Sequence, residues 1–222
     1  IGVQSHANLS YFKSRKDDSS KKTEVLNNWM TKYPNKVKKC SIDLSITSLK
    51  GRKIFVYPGN MGKAQNISPF FNIICKLNKQ RNDIGFVFVG RGSEAQNLKK
   101  IIQDEGLTNS LVFGEIPNNE MTSLYDQCHF GMVFLDPRHE THNIPGKFIS
   151  YMHHSLPVIA CINPGNDLHQ LITNSNLGFA FFNANDENII KAISEMVDNS
   201  DFETQIPANC LFIANKIFSS SS

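Results

Sequence analysis

The sequence predicts an α/β domain built on a doubly wound parallel sheet. From residue 53 onward, short apolar runs alternate with longer stretches whose apolar residues recur at helical spacing. The short runs are apolar at successive positions, as in parallel strands that are buried on both faces. Glycines follow several of these runs, at the carboxyl ends of the predicted strands, where ligands of such sheets bind. Together these three observations define the fold class.

The predicted elements follow one another in chain order. We expect strands at 54–57, 84–89, 111–113, 130–135, 157–162 and 178–182. Amphipathic helices are expected at 64–80, 94–105, 119–125, 145–154, 168–174 and 187–197, and Gly106 is the stop signal of the second. Right-handed crossovers then place helices on both faces of the sheet.

The first 50 residues differ from the rest. Residues 1–5 are typical of a strand end and 6–13 of a helix, and a turn rich in lysine, serine and aspartate follows. We therefore expect residues 1–50 to be the tail of an N-terminal domain with a linker, and residues 51–222 to be the ligand-binding domain. The chain starts at Ile1 and stops in a serine run, so we expect it to be part of a longer protein.

Composition narrows the functional classes. The five cysteines stand singly, which favours reduced thiols in the cytoplasm over disulfides or a zinc site. The apolar runs are strand-sized, and no signal peptide is recognisable. A net charge of +3 is too small to indicate nucleic-acid binding. Lysines crowd the first fifth of the chain, either as a solvated surface or as a surface attracted to anionic membranes or phosphate-bearing acceptors.

The first segment that could bind a ligand runs from Tyr57 to Gln65 and contains Gly59, Asn60, Gly62 and Lys63. Glycines between a strand and a helix let backbone N–H groups approach an anion, and a helix start with a lysine adds positive charge. These features suit a diphosphate. A tight turn that needs glycine for its dihedral angles is the alternative. The segment matches neither the Walker P-loop nor the dinucleotide-binding fingerprint.

The second segment, Gly90-Arg91-Gly92-Ser93, follows the next predicted strand. Its position beside the first segment makes it a candidate for the same site. Ser93 fits equally well as the cap of the next helix.

The third segment covers residues 139–147. Asn143 is placed to cap a helix whose first turn contains Pro145, Gly146 and Lys147, which would present unpaired N–H groups beside a lysine. An ordinary capped helix after a loop is the alternative.

Two histidines, His139 and His142, flank Glu140 in the same segment. No further ligand pair stands at metal spacing, so we expect no metal ion.

Residues 53–196 resemble the C-terminal, Rossmann-like domain of GT-B glycosyltransferases, in the large retaining family numbered four. The likeness is carried by "FVYPGNMGKAQN", by "FVFVGRGSEAQNLKKIIQDEGLTNSLVFGEIPNNEMTSLYDQCHFGMVFLD" and by "HNIPGKFISYMHHSLPVIACINPGNDLHQLI". The last stretch is similar to the Ile-Pro-Gly-Lys loop, the Tyr-Met pair and the Leu-Pro-Val-Ile-Ala run of polysaccharide transferases of the WcaI and WbuB types. The linker stretch "VLNNW" resembles the Pro-Asn-Trp segment of that subgroup.

The resemblance implies two groups of residues that contact a nucleoside-diphosphate sugar. The diphosphate group comprises Gly59, Asn60, Gly62, Lys63, Asn143, Gly146 and Lys147. The base and ribose group comprises Arg91, Gly92, Gly114, Glu115, Ile116 and Ser150.

The catalytic residues remain unassigned. Family members carry a pair of glutamates at positions that align here with His142 and Ser150, neither of which is glutamate. Glu140 and His142 are the candidates that remain in this domain, and we expect the acid/base groups and acceptor site largely in the N-terminal domain.

The resemblance further implies a metal-independent, cofactor-free transferase that moves a sugar, for example N-acetylfucosamine, from a UDP donor. The acceptor would be a polyprenyl-diphosphate-linked or saccharide acceptor in O-antigen, capsule or exopolysaccharide synthesis, in the cytoplasm or peripherally at the inner membrane. Three alternatives stay open: a nucleotide-sugar epimerase of the same architecture, a nicotinamide-dependent oxidoreductase, and a non-catalytic nucleotide-binding module. The missing dinucleotide fingerprint argues against the oxidoreductase.

Overall fold

The structure is a computed structural model that describes residues 2–3, 8–9, 22–26, 28, 40–138, 143–183 and 185–219. Apart from Asn8 and Leu9, the helix predicted at 6–13 lies outside these ranges. The candidates Glu140 and His142, with His139, also lie outside them.

All strands of the described chain run parallel to their neighbours. Two short strands, β1 (Gly2–Val3) and β2 (Glu24–Val25), pair with each other. The main sheet contains β3 (Lys53–Pro58), β4 (Ile84–Val89), β5 (Ser110–Phe113), β6 (Phe130–Phe134), β7 (Val158–Ile162) and β8 (Gly178–Phe182). Its order is β5-β4-β3-β6-β7-β8. The predicted six-stranded parallel sheet is therefore confirmed.

The described α-helices are α1 (Ser68–Gln80), α2 (Ser93–Asp104), α3 (Met121–Tyr125), α4 (Gly146–His153), α5 (Asp167–Asn174), α6 (Asp186–Asp198) and α7 (Gln205–Ile217). Helix α1 packs against α2 and α6, whereas α4 packs against α7. No helix in the described ranges combines the length and apolar character needed to cross a bilayer.

The start of the first helix was predicted wrongly. We expected it at residue 64, but a short 3-10 turn covers Lys63–Gln65 and α1 begins at Ser68. Asn66 adopts a left-handed conformation with φ of 48°, which a continuous right-handed helix cannot contain. Pro69 then suits the first turn of α1, where its missing N–H group costs no hydrogen bond.

The core lies on both faces of the main sheet and includes residues that precede it. Aromatic rings from adjacent strands contact one another, for example those of Phe55 and Phe130, whose centroids lie 4.6 Å apart. Cys40, Ile42 and Leu49 are buried in the same cluster. Residues 40–50, which were expected to belong to the linker, thus pack on this domain, and the division of the chain at residue 50 stays a prediction.

Candidate functional site

The order of the strands creates a crevice between β3 and β6. From β3 the chain continues to β4 and β5 on one side, and from β6 it continues to β7 and β8 on the other. Such a reversal opens a crevice beyond the carboxyl ends of the two central strands, where ligands of open parallel sheets bind. The segments that follow Pro58 and Phe134 border this crevice.

Tyr151 on α4 separates β3 from β6 near these carboxyl ends. Its ring packs over Gly131, where a Cβ atom would lie 2.4 Å from the ring. The buried hydroxyl lies 2.9 Å from the carbonyl oxygen of Val56 and 3.0 Å from that of Met132, so it donates its hydrogen between the two strands. The side chain satisfies backbone carbonyls at the point where the strands separate.

The Gly59–Lys63 turn is bound to the loop after β4 by its backbone. The N–H group of Gly59 donates to the Val89 carbonyl at 2.8 Å, and that of Met61 donates to the Arg91 carbonyl at 2.7 Å. The Gly59 donor, which the sequence assigned to an anion, and the adjacent Met61 donor are therefore used within the protein.

The other polar groups of this turn leave it a smaller role in anion binding than the sequence predicts. The N–H group of Gly62 donates to the side-chain oxygen of Gln65 at 3.2 Å. Asn60 and Lys63 are exposed and remain as polar side chains that a ligand can reach. The expected α-helix start beside Lys63 is wrong, because α1 begins five residues later at Ser68.

The predicted base and ribose residues Arg91 and Glu115 form an ion pair, and Glu115 also lines a cavity. The Nε atom of Arg91 lies 3.1 Å from a carboxylate oxygen of Glu115, and both side chains are exposed. An ion pair in such a position contributes little stability, so both side chains can reorient towards a ligand.

The cavity lies beyond the carboxyl ends of β3 and β4 and has a volume of about 500 Å³. This is within the range of small-molecule sites. Of the predicted site residues it is lined by Gly59, Glu115 and Ile116, and Met121 and Tyr125 on α3 contribute apolar surface. Arg91, Gly92, Gly114 and Ser150 do not line it.

Helix α4 begins at the crevice without a side-chain cap. Pro145 is the residue before its first turn, and among the described residues no side chain forms a capping hydrogen bond there. The expectation that Asn143 caps this helix is wrong, because Asn143 lies three residues before Gly146. The Asn143 side chain instead accepts a hydrogen bond from Asn8 at 2.9 Å. The N–H groups of Gly146 and Lys147 have no acceptor within the helix, as in every helix start.

Lys147 extends from this helix start to β3. Its Nζ atom lies 3.3 Å from the centroid of the Tyr57 ring. Burial lowers the pKa of the Lys147 ammonium to about 7, because removal from water disfavours the charged form. An anion in the crevice would restore the charged form. The Lys147 amine therefore lies where a negatively charged ligand would stabilise its charged form.

The segments that follow β3 and β6 are in contact with each other. The N–H group of Asp136, after β6, donates to the carbonyl of Ala64, the residue after Lys63, at 3.2 Å. The Asp136 carboxylate in turn accepts hydrogen bonds from the Arg138 guanidinium at 2.9 and 2.6 Å. Lys147 lies further along the chain from Asp136, at the start of α4, the next described helix after β6.

Ser150 lies further along α4 and is turned into the helix. Its hydroxyl donates to the Gly146 carbonyl at 3.3 Å, and the residue is buried. The roles assigned to all these residues in ligand binding stay predictions.

Sequence reasoning missed Tyr57, Tyr151 and Asp136. A tyrosine directly before the Pro58-Gly59 pair is the signal that could have indicated Tyr57, since a polar tip at the end of a buried strand needs a partner. Among the described residues, no three histidine, cysteine, aspartate or glutamate side chains are grouped to hold a metal ion.

The strand order defines a doubly wound domain with a candidate ligand site at its topological switch point. The family model described as "Glycosyl transferases group 1" matches residues 43–209. The chain belongs to this family. The curated protein "Probable glycosyltransferase WbjE" of Pseudomonas aeruginosa is 24% identical over 137 residues, which are 61% of this chain and 34% of that protein. The chain thus spans about one third of that relative's length.

Solved glycosyltransferase structures share the fold. A point mutant of Staphylococcus aureus TarM, solved with UDP, α-GlcNAc-glycerol and fondaparinux, superimposes with a TM-score of 0.72 at 17% identity over 100% of this chain and 41% of that chain. Anabaena HepE in complex with UDP-glucose gives a TM-score of 0.75 at 14% identity, covering 99% of this chain and 59% of that one.

Proposed function

We propose that this chain is the donor-binding domain of a glycosyltransferase that uses a UDP-sugar. The observation that carries the proposal is the position of Lys147, a buried amine at an uncapped helix start beside a nucleoside-sized cavity. Two similar folds, TarM and HepE, were solved with UDP or UDP-glucose. Family membership supports the transferase class.

The donor would span two regions of the site. The base would enter the cavity of about 500 Å³ lined by Glu115 and Ile116. The diphosphate would lie over the crevice between β3 and β6, within reach of Asn60 and Lys63 on one side and Lys147 on the other. Gly146 would contribute its N–H group from the start of α4.

These groups would stabilise the negative charge that develops on the leaving diphosphate. Breaking the bond between sugar and diphosphate leaves a UDP leaving group with additional negative charge. Fixed N–H dipoles and two ammonium groups stabilise such a charge before the bond breaks. Because these groups already supply positive charge, we propose transfer without a metal ion. The resemblance to the retaining family supports the further proposal that configuration at the sugar is retained.

The rest of the reaction belongs to the whole protein. We propose a polyprenyl-diphosphate-linked or saccharide acceptor bound by a second, N-terminal domain, with N-acetylfucosamine as the first donor sugar to test. The fold shared with WaaG, whose structure is described as that of a glycosyltransferase involved in lipopolysaccharide biosynthesis, supports a role in surface-polysaccharide assembly. We propose that this assembly takes place at the cytoplasmic side of the inner membrane.

Calorimetric titration with UDP tests the donor site. We expect Lys147→Ala and Lys63→Ala each to weaken UDP binding by about tenfold to a hundredfold, the range of a lost charge-assisted contact. The control is Lys99→Ala, which removes an exposed lysine from α2 away from the crevice. Unchanged UDP affinity in both folded site variants would contradict the assignment.

A further inference from the structure

We propose that Tyr57 is a positioning residue for the donor diphosphate, because it holds the Gly59–Lys63 turn and the Lys147 ammonium in one arrangement. The inference rests on the proposed function and deepens it. It assigns a role to a residue at the end of β3 that contacts both phosphate-binding segments and itself lies beneath the crevice.

The hydroxyl of Tyr57 fixes the turn. It donates a hydrogen bond to the carbonyl oxygen of Asn60 at 3.1 Å. This bond engages the negative end of the Asn60 peptide dipole and limits the orientations of that peptide. Burial keeps the pKa of Tyr57 above its ordinary value, so the hydroxyl retains its hydrogen and remains a donor. The side chain of Asn60 and the neighbouring Lys63 are thereby presented from a fixed backbone.

The ring of Tyr57 fixes the lysine. An ammonium group 3.3 Å from the ring centroid lies on the negative face of the aromatic system, which attracts it. No carboxylate within the described chain forms an ion pair with Lys147. The ring therefore stabilises the charged form without an ion pair, and a diphosphate that binds Lys147 does not compete with a carboxylate of the described chain.

The ring itself has no room to move. Tyr57 is fully buried, and its ring packs against Phe134 and Phe88 with centroids 5.6 and 6.1 Å away. Because the rings come from three adjacent strands, the platform under Lys147 is part of the sheet core. A positioning residue with this support keeps its geometry whether or not a ligand is bound.

The test compares UDP with uridine in calorimetric titrations of the whole protein. Uridine carries the base and ribose without phosphate, so it reports the nucleoside cavity alone. The variants are Tyr57→Phe, which keeps the ring, and Tyr57→Leu, which removes both ring and hydroxyl. Phe86→Leu is the matched control, since it makes a similar cavity on the adjacent strand β4, beside Phe55 and Phe70, and leaves the contacts of Tyr57 in place.

We expect Tyr57→Phe to weaken UDP binding about threefold, as for one neutral hydrogen bond. Tyr57→Leu should weaken it about twentyfold, through the additional loss of the cation–π contact. Uridine binding should change less than about twofold in both, and Phe86→Leu should keep the wild-type ratio of UDP to uridine affinity. In a Lys147→Met background, Tyr57→Leu should lose its extra effect and resemble Tyr57→Phe.

Equal losses of UDP and uridine binding in the Tyr57 variants would overturn the proposal, because they would indicate a general distortion of the site. The same effect of Tyr57→Leu with and without Lys147 would also overturn it. If Tyr57→Leu does not fold, Tyr57→Phe decides, since unchanged UDP affinity there removes the role of the hydroxyl. A wild-type protein that binds ADP or GDP but not UDP would instead reject the UDP donor, and the same variants would then be measured with the bound nucleotide.

Discussion

The backbone of Gly90 lies directly against the carbonyl group of Gly59, so that a Cβ atom on Gly90 would be 2.0 Å from the carbonyl oxygen. Gly90 also has a φ of 145°, a conformation that residues with side chains rarely adopt. The loops after β3 and β4 are therefore packed backbone to backbone at the edge of the cavity. Gly90 is therefore needed for this contact even before a ligand arrives, whereas Gly59 is needed for its own φ of 104°.

Replacement of Gly90 tests this packing. Gly90→Ala is expected to lower the free energy of unfolding by roughly 2 kcal/mol or more, because it adds a clash with backbone to an unfavourable φ. Urea denaturation measures the change. Gly106→Ala is the control, since Gly106 also has a positive φ but no atom lies within 4 Å of its would-be Cβ. Equal losses of unfolding free energy in the two variants would show that the backbone shifts to relieve the clash at Gly90.

Removal of the Tyr151 hydroxyl is a second test of the fold beneath the crevice. Tyr151→Phe leaves the carbonyls of Val56 and Met132 without this donor in a buried position. We expect a loss of about 1–3 kcal/mol in unfolding free energy. Tyr57→Phe, which removes a donor from one partly buried carbonyl, is expected to cost less. A Tyr151→Phe variant as stable as the wild type would mean that these two carbonyls do not need the Tyr151 hydroxyl.

The burial of Lys147 predicts a pH dependence of stability. Its pKa is about 7 in the folded chain and about 10.4 in an unfolded one. Between these values the unfolded chain binds more protons, so stability rises with pH from about 7 to about 10. Lys147→Met should remove this rise, and its advantage over the wild type should be largest below pH 7. Denaturation curves at several pH values measure both, and parallel pH profiles would contradict the burial of the amine.

Donor binding should carry the opposite pH dependence. A diphosphate favours the protonated form of Lys147, so UDP binding above pH 7 should take up a proton and weaken as the pH rises to 9. Calorimetry in two buffers of different ionisation enthalpy measures the uptake. The Lys147→Met variant should show neither effect. A wild-type affinity that is constant from pH 7 to 9 would contradict the role of this amine.

The sheet was predictable from the sequence, because runs such as Ile84–Val89 are apolar on both faces and glycine follows them. The two lysine-bearing segments were recognisable for the same reason. The hydrogen bonds that occupy the turn after β3 were not, since their acceptors, the carbonyls of Val89 and Arg91, belong to another strand connection.

The contact of Tyr57 with Lys147 and the contacts of Tyr151 could not be predicted from local sequence patterns. Tyr151 bonds to Val56, which is 95 positions away along the chain. Only the packing of α4 on the sheet brings these groups together. The start of α1 was missed because the left-handed Asn66 interrupts an otherwise helical pattern.

A crystal structure of the whole protein with UDP would show directly whether Lys147 binds the donor diphosphate. We expect the uracil to lie in the cavity beside Glu115 and Ile116, with diphosphate oxygens within hydrogen-bond distance of the Lys147 ammonium. Lys147 should remain on the ring of Tyr57. A nucleotide bound elsewhere on the domain, with no phosphate near Lys147, would contradict the proposed site.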